Sequence, residues 1–101
     1  MTSASFDALP LHDALLDSIQ LDWEAKTCTM TLSVFLTRGV RASPHRLHFT
    51  GVTRLSVPHE EPWGASVFVN TATHRDGTYR IEIQSGDTIE ITAGQFALDA
   101  L

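Results

Sequence analysis

His12 and Asp13 are the first residues whose types and spacing could do chemistry: an imidazole beside a carboxylate is an acid–base pair if the fold turns both one way. Trp63, between Pro62 and Gly64, is the next. Its indole either walls a pocket or caps the open end of a β-sandwich. Asp87, at the end of Gln84-Ser85-Gly86-Asp87, follows, with Asn70 and Gln84 as further polar residues near strand ends. Turn and edge hydrogen bonding is the ordinary work of such residues. His12, Asp13, Trp63 and Asp87 are therefore the candidate binding residues, and no residue is singled out as catalytic.

Five histidines (His12, His45, His48, His59, His74) raise the question of metal. A metal site legible in sequence needs His-Glu-x-x-His or paired Cys-x-x-Cys spacing, and neither occurs. His45 and His48 are three apart, which on a strand sends them to opposite faces. His59-Glu60-Glu61 reads as a solvent-exposed corner. The chain has no Gly-x-Ser-x-Gly elbow, and its six glycines are scattered singly, so neither a nucleophile nor a phosphate cradle is indicated. No metal and no cofactor is expected.

The element that must carry these residues is announced by Cys28, Met30, Leu32, Val34 and Leu36, which alternate with Thr27, Thr29, Thr31 and Ser33. Period two predicts a half-buried strand with one oily and one hydroxyl face. Ile19, Leu21 and Trp23 have the same period, which predicts a hairpin pairing Trp23 with Cys28, Leu21 with Met30 and Ile19 with Leu32 across a four-residue loop at 24–27. Cys28 then lies on the oily face, as a buried, inert thiol. Asp13 is positioned to cap a single helical turn ahead of the hairpin.

Residues 37–44 read as a mobile connection. Leu47, Phe49, Leu55 and Val57 continue the odd-numbered phase, with a bulge or bend at Gly51 and a stop at Pro58. Residues 66–74 are β-prone, and Asp76-Gly77 is a turn. Tyr79, Ile81, Ile83, Ile89 and Ile91 predict a second hairpin around the three-residue loop Ser85-Gly86-Asp87, and Gly94 interrupts the last strand. The expected fold is all-β: an antiparallel six- to seven-stranded sandwich or partly open barrel or roll, one domain over 1–101. Its short N-terminal arm, flexible over 1–10, carries Phe6 and Leu9. Phe35, Val52 and Phe68 fall off the main apolar phase, so they are either covered by a second layer or form a self-association patch.

At 43% hydrophobic and 19% charged the chain reads as globular. No secretory signal and no membrane-length apolar run is visible, which makes a soluble cytoplasmic protein the expectation. The net charge of −5 is segregated. Residues 1–25 hold five acids and no base, whereas 26–59 hold Lys26, Arg38, Arg41, Arg46 and Arg54 and no acid. An overall acidic chain argues against nucleic acid as partner. The basic block either pairs with the acidic flanks or meets an acidic partner.

His12-Asp13-Ala14 ahead of a strand, then Pro62-Trp63-Gly64, then Gln84-Ser85-Gly86-Asp87-Thr88-Ile89-Glu90-Ile91 resembles a family of small bacterial proteins with the same three landmarks in the same order. The resemblance runs from about Leu11 to Leu98 and implies bacterial origin without implying an activity. More loosely, a His-Asp-Ala opening before an all-β body is similar to some bacterial immunity proteins.

The functional expectation is a non-enzymatic domain acting by contact, through a protein partner or self-association as a homodimer, with an immunity-like role as one form. The alternative is a small-ligand-binding protein or enzyme with a cleft near Trp63 that uses His12 and Asp13.

Overall fold

The computed structural model of the chain describes residues 5–36 and 41–101. Among the described residues a 3-10 turn at Phe6–Ala8 precedes eight strands: β1 Leu15–Asp22, β2 Thr27–Val34, β3 Ser43–Thr50, β4 Arg54–Ser56, β5 Val69–Arg75, β6 Thr78–Ile83, β7 Thr88–Thr92 and β8 Gln95–Ala100. Neighbouring strands are antiparallel. They form two four-stranded sheets, ordered β1-β2-β3-β8 and β4-β7-β6-β5, which do not close into a barrel. The all-β antiparallel expectation holds. Of the connection expected over 37–44, residues 37–40 lie outside the described residues, as does Arg38 of the basic block.

Two glycines explain why there are eight strands where alternation suggests six or seven. Gly51, at φ +67, is more than a bend in one strand: β3 before it belongs to one sheet and β4 after it to the other. Gly94 does the same between β7 and β8. The two corners touch, since Gly94 N–H donates to Thr50 O at 2.9 Å and a Cβ on Gly51 would stand 3.4 Å from Gly94 N. One bent ladder, β3–β4 against β7–β8, thus serves both sheets, as strands that switch sheets do at sandwich corners.

The opening hairpin forms with a shifted register. Leu21 faces Cys28 and Ile19 faces Met30, so the turn is residues 23–26 and Trp23 has no strand partner. Lys26 takes a left-handed φ of +57 to close this turn, and a bulge between Leu16 and Ser18 resets the phase of β1. Because the shift is by two, the inward residues still face inward. Asp13 caps no helix. It occupies a left-handed turn (φ +65) whose N–H donates to Val69 O, and β1 begins two residues later.

The core lies between the sheets, where Cys28, Met30, Leu32, Val34, Leu47, Phe49, Ile81 and Ile91 are sealed from solvent. Burial raises the Cys28 thiol pKa, which keeps it the inert thiol the alternation implies. From the arm, Phe6 is buried with its ring centroid 4.9 Å from Tyr79 and 6.1 Å from Phe49. Asp7 accepts the His74 N–H of β5 at 2.8 Å, so this segment occupies part of the β5 edge. At the other end of β5, Leu16 N–H donates to Val67 O and Val69 N–H to Ala14 O. Those bonds bring the His12-Asp13 segment beside the β6–β7 turn.

Candidate functional site

The β6–β7 turn is the hub of the site. Ile83 N–H donates to Asp87 O and Gly86 N–H to Ile83 O, closing the chain tightly with Gly86 at φ +96. The Asp87 side chain points back under the loop that follows β4. It accepts Glu60 N–H at 2.8 Å, Glu61 N–H at 2.9 Å and the Ser85 hydroxyl at 2.7 Å, with Asp87 itself 6% exposed. The Glu60 N–H above all, then the Ser85 hydroxyl, with the Glu61 N–H also contributing, hold its carboxyl below the usual carboxylate range. Such bonds to an ionised acceptor are the stronger kind.

Trp63 is seated on the same turn. Its N–H donates to Ser85 O at 2.9 Å, Gly64 N–H donates to Glu61 O, and Ser66 N–H donates to the Glu61 carboxylate at 3.2 Å. A Cβ on Gly86 would lie 2.8 Å from both the Trp63 ring and Pro62 Cγ, so the indole rests directly on the glycine backbone. Trp63 is nevertheless 71% exposed. It neither plugs the core nor caps the sandwich, the second of the two roles its sequence context allows.

Gln84 holds the other flank. Its side-chain amide donates to Asp13 Oδ1 at 2.9 Å and its N–H to Phe68 O. His12 Nδ1 donates to Asn70 O at 2.7 Å, which leaves Nε2 3.5 Å from Asp13 Oδ2, and Asn70 Nδ2 donates to Glu82 at 2.6 Å. All four candidates, His12, Asp13, Trp63 and Asp87, therefore meet around Gln84–Asp87 although they are spread over most of the sequence. Locally, Gln84 and Ser85 read as turn residues. Their linking role needs partners far away in the chain, and no local signal reveals it.

The surface so built is open and acidic. His12 and Asp13 are 70% and 57% exposed and line neither of the clefts described next. Val57, Val67 and Phe68 add exposed apolar area, whereas Val52, grouped with Phe35 and Phe68 by phase, is buried. Residues 11–25, 55–74 and 81–101 contain no Lys or Arg. A cleft of about 330 Å³ opens between β1 and residues 57–59, reaching Ile83, Ile89 and Asp87. A second, of about 650 Å³, lies between Leu21 and Trp23 on one side and residues 52–55 on the other.

Two of the other histidines, His45 and His48, are structural. His45 is buried and donates from Nδ1 to Ser43 O, while His48 on the opposite face bonds the Thr29 hydroxyl at 2.7 Å. Among the described residues, no three His, Cys, Asp or Glu side chains gather closely enough for a metal ion. Of the basic block, Lys26, Arg41, Arg46 and Arg54 form no ion pair among the described residues, where Arg80–Glu90 at 2.7 Å is the close one. No helix among them is long and apolar enough to cross a membrane.

No family model matches this chain, and no curated protein matches it. Among solved structures the chain is similar to an uncharacterised protein from Neisseria gonorrhoeae, with a TM-score of 0.56 over 89% of this chain and 93% of that one. At 14% identity the likeness is one of fold, shared with a bacterial protein to which no activity is attached.

Proposed function

We propose that this domain is non-enzymatic and acts by protein contact, with the surface around the Gln84–Asp87 turn as its contact face and Trp63 as the anchor. One observation carries the reading: a tryptophan that is 71% exposed is held on a loop whose backbone is tied down by Asp87 and Ser85. Tryptophan is enriched among the few residues that dominate binding energy. A loop already ordered in the free protein loses little conformational freedom on binding. Neutralising another protein, as immunity proteins do, is one form that such contact takes; self-association is another. A cleft enzyme or small-ligand site using His12 and Asp13 has less behind it, because that pair sits on open surface and lines neither cleft.

The test is quantitative capture from an extract of the source cells, with native mass spectrometry of the untagged protein alongside. Trp63→Ala should weaken a stoichiometric partner, or a self-assembled species, by about 2 kcal/mol, roughly 30-fold. Folding stability should change by no more than about 0.5 kcal/mol. A partner retained at full strength by Trp63→Ala would sink the reading.

A further inference from the structure

We infer that a partner segment docks as an added strand along the free edge of β1, an extended stretch in which apolar side chains alternate with basic ones. The inference deepens the contact reading above and rests on it.

Hydrogen-bond parity says which main-chain groups are free. Leu16 N–H points away from β2, since it donates to Val67 O on the other side. Its partner Leu32 belongs to a row, Leu32, Met30 and Cys28, in which neighbours two apart point the same way. The far side of β3 agrees: Leu101 N–H donates to Pro44 O and Gly94 N–H to Thr50 O. The even-numbered residues of β3 thus point to β8 and the odd-numbered ones to β2, so Met30 and Cys28 point to β3. Ile19 and Leu21, opposite them on β1, therefore turn their N–H and C=O outward, and among the described residues nothing pairs with them.

The side chains of the same two residues are under-covered. Ile19 and Leu21 face the core side with Met30 and Cys28, which are fully sealed, yet Ile19 is half-buried and Leu21 is 39% exposed. Ile19 lines the first cleft, between β1 and residues 57–59, and Leu21 lines the second, which faces residues 52–55. The facing wall is also short of cover: Leu55 is half-buried and Val57 exposed, and among the described residues β4 bonds only to β7. Free backbone donors and acceptors beside an apolar slot fit an extended segment, whose main chain bonds the edge while alternate side chains fill the slot. Elsewhere that need is met by the fold itself, since Asp7 and residues 67–69 cover the β5 end. β8 is free on its outer side too; the apolar cleft is what singles out β1.

Charge selects the occupant. Asp13, Asp17, Asp22 and Glu24 lie within residues 12–25, which hold no Lys or Arg. A second copy pairing through β1 would set these acids against one another, whereas basic outward side chains complement them. Arg54 stands on the facing wall and Lys26 in the β1–β2 turn, so the basic side chains of the segment belong along β1 ahead of that turn and not against β4.

The experiment uses the whole chain, isotope-labelled, and a synthetic peptide alternating valine with lysine as probe. Amide exchange at Ile19 and Leu21 should slow by about tenfold or more when the peptide is bound. A valine–glutamate peptide should not bind. Leu21→Pro removes an N–H that lies outside the β1–β2 ladder, and it should abolish binding. Leu21→Ala, which keeps that N–H, should weaken it only partly. Binding without protection at Ile19 and Leu21, equal binding of the acidic peptide, or no binding at about 1 mM would overturn the inference. So would a dimer that protects those amides with no peptide present. If the inference fails while Trp63→Ala still loses its captured partner, the contact reading stands and the strand mode falls. If Trp63→Ala loses nothing, the contact reading itself falls.

Discussion

The molecule has two tryptophans, both strongly exposed, and they are held very differently. Trp23, 86% exposed, sits in the β1–β2 turn, where the Asp22 carboxylate bonding Ala25 N–H and Val52 N–H bonding Lys26 O are the tertiary and turn contacts. Trp63 sits on a loop whose N–H groups at residues 60, 61, 63, 64 and 66 all have acceptors, two of them the Asp87 carboxylate. Its ring is fitted to Gly86 at a distance that leaves no room for a methyl group. Exposure alone therefore says little about function. An exposed indole with a built seat does, because ordering it has a cost in conformational entropy that the fold has already met.

Breaking the seat should give the largest effect. Gly86→Ala inserts a Cβ into the Trp63 ring and Pro62 at a φ of +96 that alanine resists. It should cost about 1–3 kcal/mol and shift the Trp63 emission, read by thermal melts and fluorescence. The Trp23 turn, residues 23–26, contains no glycine and so offers no comparable substitution.

Acid should separate the two regions next. The Asp87 carboxyl titrates below its ordinary value, so its contribution is fully present above the unfolded pKa of about 3.9 and is lost as pH falls through the lower folded value. Trp63 fluorescence in a Trp23→Phe background should report loop release in that acidic window. Asp87→Asn should move or remove the transition, and Trp23 fluorescence should not follow it. The smallest effect belongs to Asp22→Ala, which loses one exposed turn bond and should cost about 0.5–1 kcal/mol without disturbing Trp63.

The two regions were also unequally legible. The alternation of β2 names its buried residues correctly, from Cys28 to Val34, because a half-buried strand writes its period directly into the sequence. Hydrophobic matching then carried Trp23 into the strand, since an indole scores as a core residue. The bulge at Leu16/Ser18 and the left-handed Lys26, which reset the register, have no hydrophobic signature. Gly51 and Gly94 were legible as interruptions. That they exchange the chain between sheets depends on their contact with each other across the fold. The site followed the same rule: Ser85-Gly86-Asp87 reads locally as a turn, whereas its bonds to Glu60, Glu61 and Trp63, and the neighbouring Gln84 bond to Asp13, span sequence distances of more than twenty residues.

The central claim is that the Gln84–Asp87 turn presents Trp63 as a rigid, exposed anchor. Time-resolved fluorescence anisotropy on Trp23→Phe and Trp63→Phe, each leaving a single indole, tests it directly. The account predicts that Trp63 depolarises only with the tumbling of the whole domain, while Trp23 shows a fast local component. A fast component of equal amplitude at Trp63 would contradict it, because an indole that moves freely on its loop is not pre-organised for any partner.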